Sequence, residues 1–173
     1  MAAGSLFDFP SPVNEKAARV VAAGATIMAL AVGVLGWGWV LIPLTYGFIA
    51  RVLTGPTLSP LGRFATRVAA PQLGEPKHTP GPPKRFAQGI GVVFSVSASV
   101  LWLTGFPGAA RVVVLALAGA AFLEAAFGFC LGCRIFALLM KAGLVPDHVC
   151  EECNDLSLRI PALATARVGA KVD

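Results

Sequence analysis

The chain has 173 residues, 56% of them hydrophobic and only 13% charged, with a formal net charge of +5. So much apolar surface with so little charge excludes an ordinary soluble domain, in which about a quarter of residues are charged, and points to an all-α, polytopic integral membrane protein. No phosphate-binding, hydrolytic or nucleic-acid-reading motif is present, and the excess positive charge fits the anionic surface of a lipid bilayer.

Residues 1–11 read as an N-terminal interfacial segment, with Phe7 and Phe9 at the membrane surface. Ser11-Pro12 combines a hydroxyl cap with proline at the first helical position. It predicts a first helix over 12–35 that carries Glu15, Lys16 and Arg19 at the interface. A signal-peptide reading of 16–31 is the lesser alternative, because the apolar run continues past the roughly 7 to 15 residues of a signal's core, and helix 1 is expected to stay as an anchor. The thirty-one uncharged residues between Arg19 and Arg51 exceed one span of about 20. They divide at Gly36-Trp37-Gly38-Trp39, giving a second helix over 39–53 that is short, carries Pro43 and ends at Gly55-Pro56. A re-entrant segment is the alternative reading of that helix.

Residues 54–85 form a basic, proline-rich loop. Ser59-Pro60 repeats the start signal, and Leu61, Phe64, Ala65 and Val68 recur at helical spacing while Arg63 and Arg67 take the other face. This predicts a short interfacial helix whose arginines, with Lys84 and Arg85, face lipid headgroups. Five prolines between 71 and 83 favour an extended spacer. Uncharged runs of twenty-five residues after Arg85 and of twenty-two after Arg111, the latter broken only by Glu124, predict helices over 86–104 and 109–140. The expected membrane domain, 12–142, is thus four transmembrane helices in two hairpins.

Lys and Arg cluster on the N-terminal flank, the long loop and the C-terminal flank, while the two opposite turns offer only Arg111. Because positive charge resists translocation, both termini are expected on the cytoplasmic side of the inner (plasma) membrane. Trp37, Trp39 and Trp102 then fall at the outer interface, where tryptophan anchors. Gly119, Ala120, Ala121, Ala125, Ala126 and Gly128 allow close helix approach, within the bundle or to a second copy in a homo-oligomer.

Glu124 needs a reason, because a carboxylate at mid-span costs about 2.5 to 3.5 kcal/mol. It must face protein, as a structural hydrogen-bonding group or as a proton carrier, with Arg51 as a candidate partner. On a continuous helix it lies about 240° around from Cys130, so contact between the two is not expected.

Cys130, Cys133, Cys150 and Cys153 are the only cysteines, arranged as CLGC and CEEC with sixteen residues between the pairs. That spacing suits either a four-thiolate metal site or two exchanging dithiols. The first pair is expected late in the fourth helix, where the helix dipole disfavours a thiolate, with Arg134 offsetting it. The second pair lies in a cytoplasmic tail over 143–173, opened by the cap Gly143 and by Pro146; Glu151 and Glu152 oppose thiolate formation there, and His148 stands nearby. In one mechanism, the pairs relay electrons or sulfane sulfur from a soluble thioredoxin-like partner. In the other, all four thiolates close a zinc or iron site that pins the tail to a non-enzymatic scaffold. Whether the protein is an enzyme is left open.

The segment Phe7-Asp8-Phe9-Pro10-Ser11-Pro12-Val13-Asn14-Glu15, the basic loop from Gly55-Pro56 to Pro60, Lys84-Arg85-Phe86-Ala87-Gln88 and Phe127-Gly128-Phe129-Cys130-Leu131-Gly132-Cys133 resemble a membrane family called domain of unknown function 4395, common in actinobacteria. The resemblance runs from about Phe7 to Cys153. It implies a small helical membrane protein and, from the frequent proximity of thioredoxin-like and sulfurtransferase genes, a partner in thiol or sulfur traffic. The layout is also loosely similar to four-helix quinone-linked thiol oxidases, although those act on the outer face.

Overall fold

The computed structural model describes residues 13–75, 77–146 and 149. The calls on Phe7, Phe9, Ser11-Pro12, His148, Cys150 and Cys153 therefore lie outside the described residues.

The chain enters through a two-residue strand, β1 (Val13–Asn14). The Asn14 side chain then accepts from the Lys16 N–H at 3.0 Å and caps α1 (Glu15–Gly33), a role the sequence had suggested for Ser11. After α1 the chain turns at Gly36, whose φ of +74° suits glycine, and a 3-10 turn at Gly38–Val40 leads into α2 (Leu41–Thr54). Pro43 falls in the first turn of α2, where the missing N–H breaks no helical bond. The expected division of the first apolar run is thus observed.

Gly55, at φ +62°, ends α2. Ser59 caps α3 (Pro60–Phe64) by accepting from the Gly62 N–H at 3.2 Å, as the Ser-Pro signal predicts. A π-helical turn at Ala65–Ala69 and α4 (Ala70–Gln72) continue the same path. This surface piece is amphipathic in a different sense from the one expected. Leu61 and Ala65 pack on α1 with Ala17 and Val21, while Phe64 and Val68 are exposed beside Arg63 and Arg67. The expected extended spacer is tied down instead. Strand β2 (His78–Thr79) pairs antiparallel with β1, Val13 opposite Thr79 and Asn14 opposite His78, and the Glu15 N–H donates to the Lys77 carbonyl at 2.7 Å.

Helix α5 (Gly81–Leu103) opens with Pro82 and Pro83 in its first turn, α6 (Pro107–Phe127) returns along it, and α7 (Leu131–Lys141) follows. At about 1.5 Å per residue, α1, α5 and α6 are roughly 29, 35 and 32 Å long, enough to cross a hydrocarbon core of about 30 Å. These three helices are long and apolar enough to be membrane spans, and Gly38–Thr54 is a shorter apolar helix. The core between them is built from small and branched residues, among them Ala29, Val32, Leu44, Ala98 and Val114, all fully buried. Outward-facing side chains such as Ile42, Leu103 and Val112 are apolar and largely exposed, which lipid satisfies and water does not. The Trp37 and Trp39 rings stack at 6.3 Å, and Trp102 lies against Gly38 at the end of the bundle opposite the cysteines.

The expected fourth helix, 109–140, is two helices. Gly128 stands at φ +67° and ends α6; α7 then packs back on α5. There the Phe86 and Phe136 rings meet at 5.6 Å, and Gly132 faces the Ala87 backbone so closely that an added Cβ would sit 2.6 Å from Ala87 Cα. Gly143, at φ +73°, caps α7 as predicted, with the Leu144 N–H bonded to the Leu139 carbonyl at 3.0 Å. Of the small residues expected to pack, Gly119 has open space around it.

Candidate thiol site at the helix break

The break decides the setting of the first cysteine pair. Cys130 has an extended backbone and is the N-cap of α7, its Sγ accepting from the Cys133 N–H at 3.2 Å. The pair is therefore at a helix N-terminus and not late in a helix, which corrects the expectation. A helix start presents unpaired N–H groups and the positive end of the dipole, so it favours negative charge on the capping sulfur. Cys130 and Cys133 are joined in a disulfide with their Cα atoms 5.2 Å apart. Cys130 is buried and Cys133 partly exposed. Arg134 lies over the Phe129 ring, 5.2 Å from its centroid.

Around the pair the helix ends bring together a set of charged side chains. Arg19 donates from Nε and Nη2 to the Ala125 and Ala126 carbonyls, at 3.1 and 2.7 Å, and so satisfies the C-terminus of α6 just before the break. Glu15 pairs with Lys77 at 2.9 Å, and its carboxylate is close enough to Gly128 that a Cβ there would meet Oε1 at 3.0 Å. Arg85 Nε donates to the Val52 carbonyl at 3.0 Å at the end of α2.

Lys84 was expected to face lipid. It is buried instead, and its Nζ meets Glu124 Oε1 at 2.5 Å. The partner of Glu124 is thus Lys84 in the first turn of α5, not Arg51. Arg51 is itself buried, with Nε on Gln88 Oε1 at 3.0 Å, Nη1 on Ser59 Oγ at 3.3 Å, and its guanidinium 4.6 Å from the centroid of the Phe48 ring. Its Nη2 is buried with no hydrogen-bond partner among the described residues.

Two cavities meet at Cys130. One, of about 500 Å³, is lined by Glu15, Lys84, both cysteines, Arg134 and Met140 among others. The second, of about 320 Å³, lies between α1, α2, α5, α6 and α7 and includes Arg51, Gln88, Glu124 and Cys130 in a mainly apolar wall. Glu124 and Cys130 therefore line one cavity, brought to it from either side of the break at Gly128. Among the described residues no group of three or more His, Cys, Asp or Glu is placed to hold a metal ion. The four-cysteine cluster involves Cys150 and Cys153, which lie outside them. Arg63 and Arg67 are exposed on the surface piece and take no part in this site.

The chain belongs to the family described as Domain of unknown function (DUF4395), whose model matches residues 13–141, about three quarters of its length. No curated protein and no solved structure matches it.

Proposed function

We propose that this member of the family is a membrane thiol–disulfide protein whose Cys130–Cys133 pair exchanges electrons or sulfane sulfur with a soluble thioredoxin-like or sulfurtransferase partner. The observation that carries the reading is the position of Cys130 as the cap of α7, with a more exposed Cys133 three residues on and a basic and apolar cavity in front of both. The partner's thiolate attacks Sγ of Cys133, the S–S bond breaks, and Cys130 leaves as a thiolate held by the Cys133 N–H and the start of α7. The partner's second thiolate then attacks its own sulfur in the mixed disulfide and frees Cys133. Two electrons and two protons have passed to the pair, and the partner leaves as a disulfide. Attack by the reduced pair on a Cys150–Cys153 disulfide carries the electrons onward. Eight residues lie between Lys141 and Cys150, nine steps that reach at most about 30 Å, while α7 is roughly 16 Å long, so the tail is long enough to return. A persulfide in place of the incoming thiol would transfer sulfur by the same attack.

The orientation that fits places the thiols, the basic surface piece and both termini in the cytoplasm, with the protein in the plasma membrane. It is supported by the concentration of Lys and Arg at the thiol end against Arg111 alone at the other. The spacing of the two pairs supports a second reading, a scaffold whose four thiolates hold zinc or iron. Thiol counting and native mass spectrometry on anaerobically purified protein separate the two. Dithiol relay predicts a metal-free chain that gains two or four hydrogens as the potential falls, and a mixed disulfide between Cys133 and a reduced thioredoxin whose second cysteine is replaced by serine, because the resolving attack is then lost. One tightly bound metal protecting four thiols would overturn it.

A further inference from the structure

The cavity of about 320 Å³ behind Cys130 has a polar end and an apolar body. Its walls are mainly Val21, Phe48, Ile90, Phe94, Leu117 and Ile135, and Arg51, Gln88, Glu124 and Cys130 supply its polar groups. Its size falls in the range of small-molecule sites, about 300 to 1,000 Å³. Arg51 is only 4% exposed, and two of its nitrogens are committed to Gln88 and Ser59. Nη2 is left buried without an acceptor among the described residues. An unpaired charged donor in an apolar interior is costly, and the group that best relieves it is an oxygen acceptor delivered on an apolar molecule. Lys84, which lies outside this cavity's lining, pairs with Glu124 and compensates its carboxylate, so the charge of Arg51 is left for an acceptor.

We propose that this cavity binds an amphiphile with an oxygen-bearing head and an apolar tail, the head accepting from Arg51 beside Cys130 and the tail lying among Phe48, Phe94 and Leu117. Two sources share that chemistry, a long-chain carboxylate and a lipid-soluble quinone. The binding claim is independent of the thiol chemistry and holds whether the Cys130–Cys133 pair is oxidised or reduced.

The test is native mass spectrometry and equilibrium titration of the full chain in phosphatidylcholine nanodiscs, with palmitate and with a decyl-substituted benzoquinone as separate probes. The expected result is saturable one-to-one binding of at least one probe. Arg51→Gln should weaken it about tenfold or more, as for the loss of a charge-assisted hydrogen bond. Ala121→Phe, which narrows the cavity while leaving Arg51 in the sequence, should abolish it and keeps the question open to test should Arg51→Gln fail to fold. Palmitate binding assigns the site to lipid, and quinone binding assigns it to a redox ligand. Binding of neither probe, or equal binding in parent and Ala121→Phe protein, would overturn the proposal.

Discussion

Replacing Glu124 with Gln strands the Lys84 ammonium. Both side chains are largely out of solvent, at 8% and 14% exposure, with Nζ on Oε1, so little of the interaction is screened by water. Removing one member of a buried pair costs about 3 to 5 kcal/mol, mainly because the other charge remains buried. Lys84 sits in the first turn of α5, and its flexible stem lets it reach toward the interface, so the lower end, about 3 kcal/mol, is expected for Glu124→Gln. Removing both charges with Lys84→Met and Glu124→Gln leaves no stranded ion and should cost about 1 kcal/mol or less. The double variant should then be about 2 kcal/mol more stable than Glu124→Gln alone, so the effects of the two substitutions do not add. The assay is unfolding in mixed micelles of rising dodecyl sulfate fraction, followed by far-ultraviolet circular dichroism. A Glu124→Gln variant within about 0.5 kcal/mol of the parent, or single effects that simply add, would refute the reasoning.

Gly128→Ala forces a left-handed residue to carry a Cβ, at a cost of about 1 to 2 kcal/mol, and crowds Glu15 Oε1. It should lower the micelle unfolding midpoint and change the rate at which dithiothreitol reduces the Cys130–Cys133 disulfide, whereas Gly119→Ala, with open space around it, should do neither. Gly132→Ala drives a Cβ into the Ala87 backbone and should cost about 1 to 3 kcal/mol by displacing α7 from α5, measured by the same unfolding titration. Arg63→Glu with Arg67→Glu should leave folding intact and weaken the contact of the surface piece with anionic lipid by about 1 kcal/mol per lost positive charge. Fluorescence quenching of a label at residue 68 by headgroup-labelled phosphatidylserine reads that loss.

The membrane helices were legible because their signal is additive and local: long uncharged runs, a Gly-Trp-Gly-Trp division, and the Ser59-Pro60 start. What was not legible depends on partners far apart in sequence. Lys84 beside Arg85 looks like an interfacial basic cluster, and only the packing of α5 on α6 shows that one of the two lysine–arginine neighbours turns inward to Glu124, forty residues away. Asn14 caps α1 with no proline after it, so its signal in the sequence is weaker than that of Ser11-Pro12. The break at Gly128 had a visible trace, since 109–140 is 32 residues where a span needs about 20. Gly128, in a run of small residues, reads as a packing residue, and cysteine is not among the usual capping side chains, so the sequence alone assigns the excess length to a helix running on into water.

That excess length is what gives the break its chemical meaning. An unbroken helix from Pro107 to Lys141 would be 35 residues, about 52 Å, and would carry Cys130 beyond the hydrocarbon with α7 standing free of the bundle. Its Leu131, Ile135, Phe136 and Leu138 would then face water at the cost of apolar exposure. Folding back at Gly128 buries Phe136 on Phe86 and leaves Ile135 and Leu138 exposed, where lipid at the membrane surface can cover them. The same fold creates a helix N-terminus where there was none and sets Cys130 on it. Hydrophobic burial of α7 and, under the proposed function, activation of the cysteine pair both follow from a single backbone event at one glycine. A variant that straightens the helix should lose both together, whereas a variant that only removes a sulfur should lose the second alone.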